Sequence, residues 1–273
     1  MDATFNIKPT NSLSFISELR RRNPLLFGLG VAHLVLFCLM LLISPFDHRT
    51  VMGINPWIKP MKFAISIAIY ALTMAWILGE LPMRDVAKRW ISWILAGTLV
   101  IEIVLITMQA ARGVTSHFNN ATLFDSAVFA TMGTAIFLNI VAAAYVAVQF
   151  WRSDIRIPAP YLWGIRLGLI IFVLASLEGF AMVSHGAHSV GVADGGAGLP
   201  LLNWSTRGGD LRPAHFFGIH SLQVLPIIGA LLSSKGMKLN SVRLVQAIGI
   251  IYGITALLLF LWALSGRPLV SLG

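Results

Sequence analysis

The sequence predicts an all-α, polytopic integral membrane protein, a single bundle of seven transmembrane helices. Three observations carry this. Mean hydropathy over the 273 residues is +0.80. Charged residues make up only 11% of the chain, about half their share in a soluble domain. Apolar runs of roughly 20 residues recur along the whole length, each long enough to cross a bilayer as a helix.

The spans are expected at about 25–45, 58–79, 90–110, 122–150, 162–184, 214–233 and 243–264, each read from its apolar run. Residues 1–23 precede the first span as an N-terminal segment, and 24–273 form one domain with a Gly-rich loop at 186–213. The first span opens on "RRRNP", with Asn23 as its predicted N-cap and Pro24 as its first helical residue, each a favoured type at its position. The run is too long for a signal-peptide core and no A-x-A site follows it, so it is expected to be retained. The single cysteine, Cys38, lies within it and can form no intrachain disulfide.

The second span begins in "INPWIKPMKF", with Lys59 and Lys62 near its N-terminal end. Cations there oppose the helix dipole, which welcomes anions. Joined by Arg112, Arg207 and Arg212, they form a candidate anion-binding set; snorkelling to lipid phosphates is the alternative. The third span carries Glu102 and Gln109 seven residues apart, with Arg112 three further on, a polar stripe on one helix face. The fourth is Ala-rich ("VAAAY"), which reads as close packing. The fifth carries Glu178 and ends in "SHGAH", so a helix continuing past Gly186 puts Glu178, His185 and His188 on one stripe. In the sixth, His215 and His220 are five apart, about 140° around a regular helix. His220 is therefore expected to face the bundle, with Gln223 on its side, and His215 to lie at the rim. The last span has Gly249 and Gly253 in "GIIYG", read as ordinary helix packing.

Thirteen Lys and Arg residues fall in or beside the N-terminal segment and the loops at 80–89, 151–161 and 234–242, against seven on the other side. That bias predicts a cytoplasmic N-terminus and an extracytoplasmic C-terminus. The net charge of +9 is thus accounted for by short loops between spans, and nucleic acid is not an expected partner. The expected partner is the lipid bilayer, with an anionic lipid or amphiphile as ligand. The expected location is the inner (plasma) membrane of a bacterium.

His48, His117, His185, His188, His215 and His220 all fall on the predicted outer side, with His33 the exception. The intramembrane acids follow them. Glu102 and Glu178 lie about 12 Å and about 10 Å below the outer ends of their spans, at 1.5 Å per residue. An ionised group at that depth costs a few kcal/mol unless it meets a partner, an ion or a hydrated cavity. A polar pocket in the outer half follows as the expectation, with the glycine-rich loop as its lid. No Lys-Ser or Lys-Thr follows the loop glycines, so a nucleotide site is rejected.

Three kinds of chemistry suit such a pocket. A metal-dependent, hydrolase-like enzyme would draw its ligands for a divalent metal, zinc or iron, from His117, His185, His188, His215 and His220. A catalytic zinc takes three protein ligands and keeps one position for water, with Glu102 or Glu178 as base and Gln109 beside it. A haem b protein would use two imidazoles such as His185 and His220. A non-catalytic transporter, receptor or assembly subunit would use the same groups in a cavity; no inverted repeat or clearly broken helix pair supports a transporter. Ser116–His117 and Ser184–His185 place serine beside histidine, but adjacent side chains rarely point at each other, so a nucleophile reading is disfavoured.

Overall fold

The computed structural model describes residues 12–196, 198–234 and 240–271. Lys8, Lys235 and Lys238, which enter the loop charges above, lie outside the described residues. Among the described residues, seven helical segments are long and apolar enough to cross a membrane.

A short helix α1 (Ser12–Arg22) precedes the first spanning helix α2 (Pro24–Ile43). Asn23 caps α2 as expected, accepting from the Leu26 amide, and its Nδ2 donates to Ser92 Oγ at 2.6 Å. α3 (Ile58–Glu80) and α4 (Asp85–Arg112) follow, and Arg22 reaches Glu80 at 2.6 Å while lying over the Trp76 ring. α1 is thereby fixed against the end of α3. α5 (Leu123–Arg152) and α6 (Ala159–His185) complete the central helices. The paired strands β1 (Ser189–Val190) and β2 (Gly209–Asp210) lead into α7 (Arg212–Ile219), α8 (Ser221–Ser234) and α9 (Asn240–Leu264).

The sixth span runs through α7 and α8, which meet at His220: its backbone stays right-handed (φ −76°, ψ −6°), but the regular helix is interrupted between His220 and Ser221. The sequence alone predicts no clearly broken helix. Pro226 inside α8 removes a further backbone donor, since proline has no N–H.

α8 packs closely on α6. A Cβ at Gly168 would stand 2.8 Å from the Ser221 carbonyl oxygen, and Ser221 Oγ donates to the Gly168 carbonyl at 2.9 Å. Gly249 and Gly253 of α9 lie against Leu167 and Ile171 of α6, in line with a packing role.

The main apolar core runs through Leu26, Met74, Leu78, Leu95, Val146, Phe150 and Leu169. A buried polar bridge crosses it: Tyr70 Oη donates to Asn139 Oδ1 at 3.0 Å, and Asn139 Nδ2 donates to Thr98 Oγ1 at 2.8 Å. Two smaller apolar clusters, Ile106 with Val128 and Met132, and Met182 with Leu211 and Ala263, lie nearer the other end. There the connections gather. Arg49 donates to the Ala111 carbonyl, Asn203 to the Met52 carbonyl, and the Phe118 ring meets His188. The described residues of 186–211 form a cap over this end.

Candidate acid–base recess

The loop before α3 sets the first wall. Asn55 Nδ2 donates to the carbonyls of Ser44 and Asp47, and Trp57 Nε1 donates to Asp47 Oδ2 at 2.9 Å. This fixes the start of α3 and places Lys59 and Lys62 in its first two turns. Lys62 Nζ donates to the Leu202 carbonyl of the cap at 3.1 Å. Lys59 makes no hydrogen bond among the described residues, and the charges of Glu102, Arg212, Lys62 and Asp194 act on it.

Glu102 forms the second wall. Its residue is 2% exposed. Oε1 stands 3.7 Å from His117 Nε2, and Oε2 is buried with no hydrogen-bond partner. His117 arrives from the α4–α5 loop because Gly113, left-handed at φ 74°, ends α4 and turns the chain back. Its ring packs on Phe63 and Phe129, and its Nδ1 is 3.0 Å from Ser116 Oγ. Burial first, then the charges of Lys59 and His188, hold the His117 imidazole well below its usual basicity, so it is neutral near pH 7.

The cap is built on two carboxylates. Asp194 accepts from the His188 amide at 2.9 Å and the Ser189 amide at 2.8 Å, and pairs with His188 Nδ1 at 2.7 Å. Burial pushes Asp194 up, but these hydrogen bonds outweigh it and hold the carboxyl below the usual range. Asp210 accepts from the Ser205 amide at 2.7 Å and from Arg212 Nε at 2.9 Å, and Arg212 also donates to the Asn203 carbonyl at 2.5 Å.

Several expected site residues go elsewhere. Gln109 and Arg112 do not join Glu102 in the recess. Both donate to Asp125 Oδ1, at 2.8 and 2.6 Å, and Arg112 also donates to Gln109 Oε1. They staple the end of α4 to the start of α5. Gly186, left-handed at φ 73°, ends α6 at His185, so Glu178 and His185 keep the expected stripe along α6 but His188 leaves it. His185 Nε2 is held at 3.0 Å from the Ser189 carbonyl. The two histidines of the sixth span exchange the places expected for them. His215 reaches the Ala175 carbonyl of α6 at 2.9 Å, whereas His220 folds back on the Phe216 carbonyl at 2.7 Å and stacks on that ring. Glu178 Oε1 is buried without a hydrogen-bond partner, and no described contact joins it to Glu102. Arg207 is exposed on the cap.

Among the described residues, no group of three or more His, Cys, Asp or Glu is arranged to hold a metal ion. A zinc centre needs three such ligands, so this donor set does not fit one. Of the pair expected for haem, His185 uses Nε2 on the Ser189 carbonyl and His220 uses Nδ1 on the Phe216 carbonyl, and no described contact joins the two rings. Neither reading draws support from the geometry.

A scan against protein-family models found no match, and neither the comparison with curated proteins nor that with solved structures found one.

Sequence reasoning missed two residues of consequence, Asp125 and Asp194. Asp125 was legible: "TLFD" before an apolar run is a capping box, and Thr122 Oγ does accept from the Asp125 amide, as that pattern predicts. Asp194 stands in an Asp-Gly turn, which marks a loop organiser. Asp210, with Trp204 and Arg207, is read from the sequence as a residue by which the glycine-rich loop docks, and it accepts from the Ser205 amide and Arg212. Ser116 was set aside on the general behaviour of adjacent side chains.

Proposed function

We propose that this is an integral membrane protein with its N-terminus cytoplasmic and its cap extracytoplasmic, and that the recess under the cap binds an anionic amphiphile and acts on it by hydrolase-like acid–base chemistry. The loop charges support the orientation, which is that of a plasma or bacterial inner membrane. Seven membrane-length helices supply the lipid setting.

One observation carries the chemistry: the Glu102 carboxylate feels the charge of Lys59 and faces the neutral His117 imidazole, with one oxygen buried and unpartnered. A buried acid left half-satisfied costs about 1–3 kcal/mol, and such groups inside membranes mark functional sites. Lys59 would hold the anionic group, Lys62 would stand beside it, and Glu102 with His117 would move the proton. A neutral imidazole beside a carboxylate is a competent general base.

The test is native mass spectrometry of the detergent-purified protein with phosphatidylglycerol and phosphatidylcholine in competition. Selective retention of the anionic lipid, lost in Lys59→Gln, supports the reading. Equal retention of both lipids by the wild-type protein removes it.

A further inference from the structure

Ser116 and His117 are sequence neighbours, yet their side chains meet. Ser116 Oγ lies 3.0 Å from His117 Nδ1, and the opposite ring nitrogen, Nε2, lies 3.7 Å from Glu102 Oε1. Hydroxyl, imidazole and carboxylate therefore stand in a row, in that order. Among the described residues the Ser116 hydroxyl has no other hydrogen-bond partner. The second serine–histidine pair behaves differently: Ser184 Oγ donates to the Ala181 carbonyl, and His185 turns to Ser189. The row is thus a property of this loop and not of the dipeptide.

We propose that Ser116, His117 and Glu102 form a nucleophile–base–acid relay, and that its substrate is a carboxylic ester of an anionic amphiphile. This rests on the anion-binding reading of the recess. Such relays are defined by geometry and roles, not by position in the chain. The ring is used in the reverse sense from the usual one, with Nδ1 toward the serine, and either nitrogen can serve as base once the other is tied to an acid. The 3.7 Å between Nε2 and Oε1 is long for a hydrogen bond, and catalytic bonds commonly tighten when substrate binds.

The step balances as follows. Ser116 Oγ attacks the ester carbonyl carbon, and its proton passes to His117 Nδ1. The imidazolium is stabilised by Glu102 across Nε2. The tetrahedral oxyanion develops in the field of Lys59, the same cation that holds the amphiphile's anionic group and that makes no hydrogen bond among the described residues. Collapse breaks the carbon–oxygen ester bond, and the alcohol leaves with the proton from Nδ1. Water then gives a proton to His117 Nδ1 as its oxygen attacks the acyl-Ser116 carbonyl; the acyl–Oγ bond breaks, Oγ takes that proton back, and the acid is released. The net reaction is ester plus water to acid plus alcohol.

Ser116 is 3% exposed, and the His188 ring of the cap stands 4.9 Å from its neighbour Phe118. The relay is therefore shielded from water when the cap is docked, which strengthens its electrostatics. Lys62 and Asn203 tie the cap to the α2–α3 side through Leu202 and Met52. Loosening it should expose the serine.

The experiment treats the purified full chain with a long-chain alkyl fluorophosphonate, which transfers its phosphonyl group to an activated serine as fluoride leaves, and maps adducts by peptide mass spectrometry. An adduct at Ser116 is expected in the wild type or, where the cap shields it, in Asn203→Ala. Ser116→Ala should lose it, His117→Ala should slow it by about 100-fold, and Ser184→Ala should leave it unchanged. No Ser116 adduct in either protein, or an unchanged rate in His117→Ala, overturns the relay. Anionic-lipid retention by Ser116→Ala shows that this variant folds. It also separates the two readings: selective lipid binding without an adduct discards only the relay, and loss of selectivity in the wild type discards the recess itself.

Discussion

His117 Nε2 faces Glu102 Oε1 at 3.7 Å, across the gap between the α4–α5 loop and the body of α4. Fifteen positions separate the two in the chain, and only the left-handed turn at Gly113 returns the loop over the helix it has just left. The carboxylate is thus buried among apolar helices with an imidazole above it and Lys59 at its side. One carboxylate oxygen is left without a hydrogen-bond partner there.

The Gln109–Arg112–Asp125 cluster is a structural staple. Asp125→Ala should therefore lower stability by about 1–3 kcal/mol, the cost of stranding buried partners, with Arg112 partly solvated and so limiting the loss. Thermal unfolding in detergent checks this. Anionic-lipid selectivity should survive at temperatures where the variant is folded, and selective loss of binding in a stable protein would move the staple into the site.

Acid should weaken the fold through the histidines at the cap. His117 and His188 are both held below the ordinary imidazole value of 6.5, burial being the largest cause in each. The unfolded chain therefore binds protons that the folded chain refuses. Their stabilising contribution is whole above about pH 6.5 and is lost as pH falls below that value. Asp194, held low by His188 and Ser189, adds a further loss at more acid pH, below about 4. Melting temperature measured from pH 8 to pH 4 should fall on the acid side, and His188→Gln should flatten the part between about pH 5 and 7. A profile unchanged by that substitution would remove His188 from the explanation.

Orientation can be read with cysteine labelling. In a Cys38→Ala background, Arg207→Cys on the cap and Arg84→Cys between α3 and α4 are both at exposed positions. A membrane-impermeant maleimide should label position 207 on intact cells and position 84 only after permeabilisation. The reverse pattern would invert the topology and place the recess on the cytoplasmic face.

Glu178 should be dispensable to the recess. Its unpartnered oxygen is on α6, between Ala175, which accepts from His215, and Met182, which packs with Leu211 and Ala263. Glu178→Gln should therefore leave both lipid selectivity and fluorophosphonate reactivity as in the wild type. A loss of either comparable to that of Lys59→Gln would reunite the two carboxylates in one site.

Hydropathy alone was enough for the seven spans, since a run of about 20 apolar residues has one low-energy fate in lipid. The cap on α2 and the packing glycines of α9 were equally legible, because both are local signals. What the sequence could not show were angles set by single residues. Gly186 ends α6 and takes His188 off its stripe, and the irregular turn at His220 reverses which histidine faces α6. Helical-wheel reasoning assumes an unbroken helix, and fails at such points. The partition of polar groups among partners was likewise hidden: Glu102 and Gln109 share a helix face, but Asp125 claims only the latter.

A binding cycle on Lys59 and Glu102 probes the recess as a unit. Glu102 offsets the charge that Lys59 would present to an anion, so Glu102→Gln should tighten anionic-amphiphile binding by about tenfold, roughly 1.4 kcal/mol. That gain needs Lys59, and should vanish when Glu102→Gln is made in a Lys59→Gln background. The same gain in both backgrounds, or none in either, would mean that the two side chains do not act together and that no shared anion site exists between them.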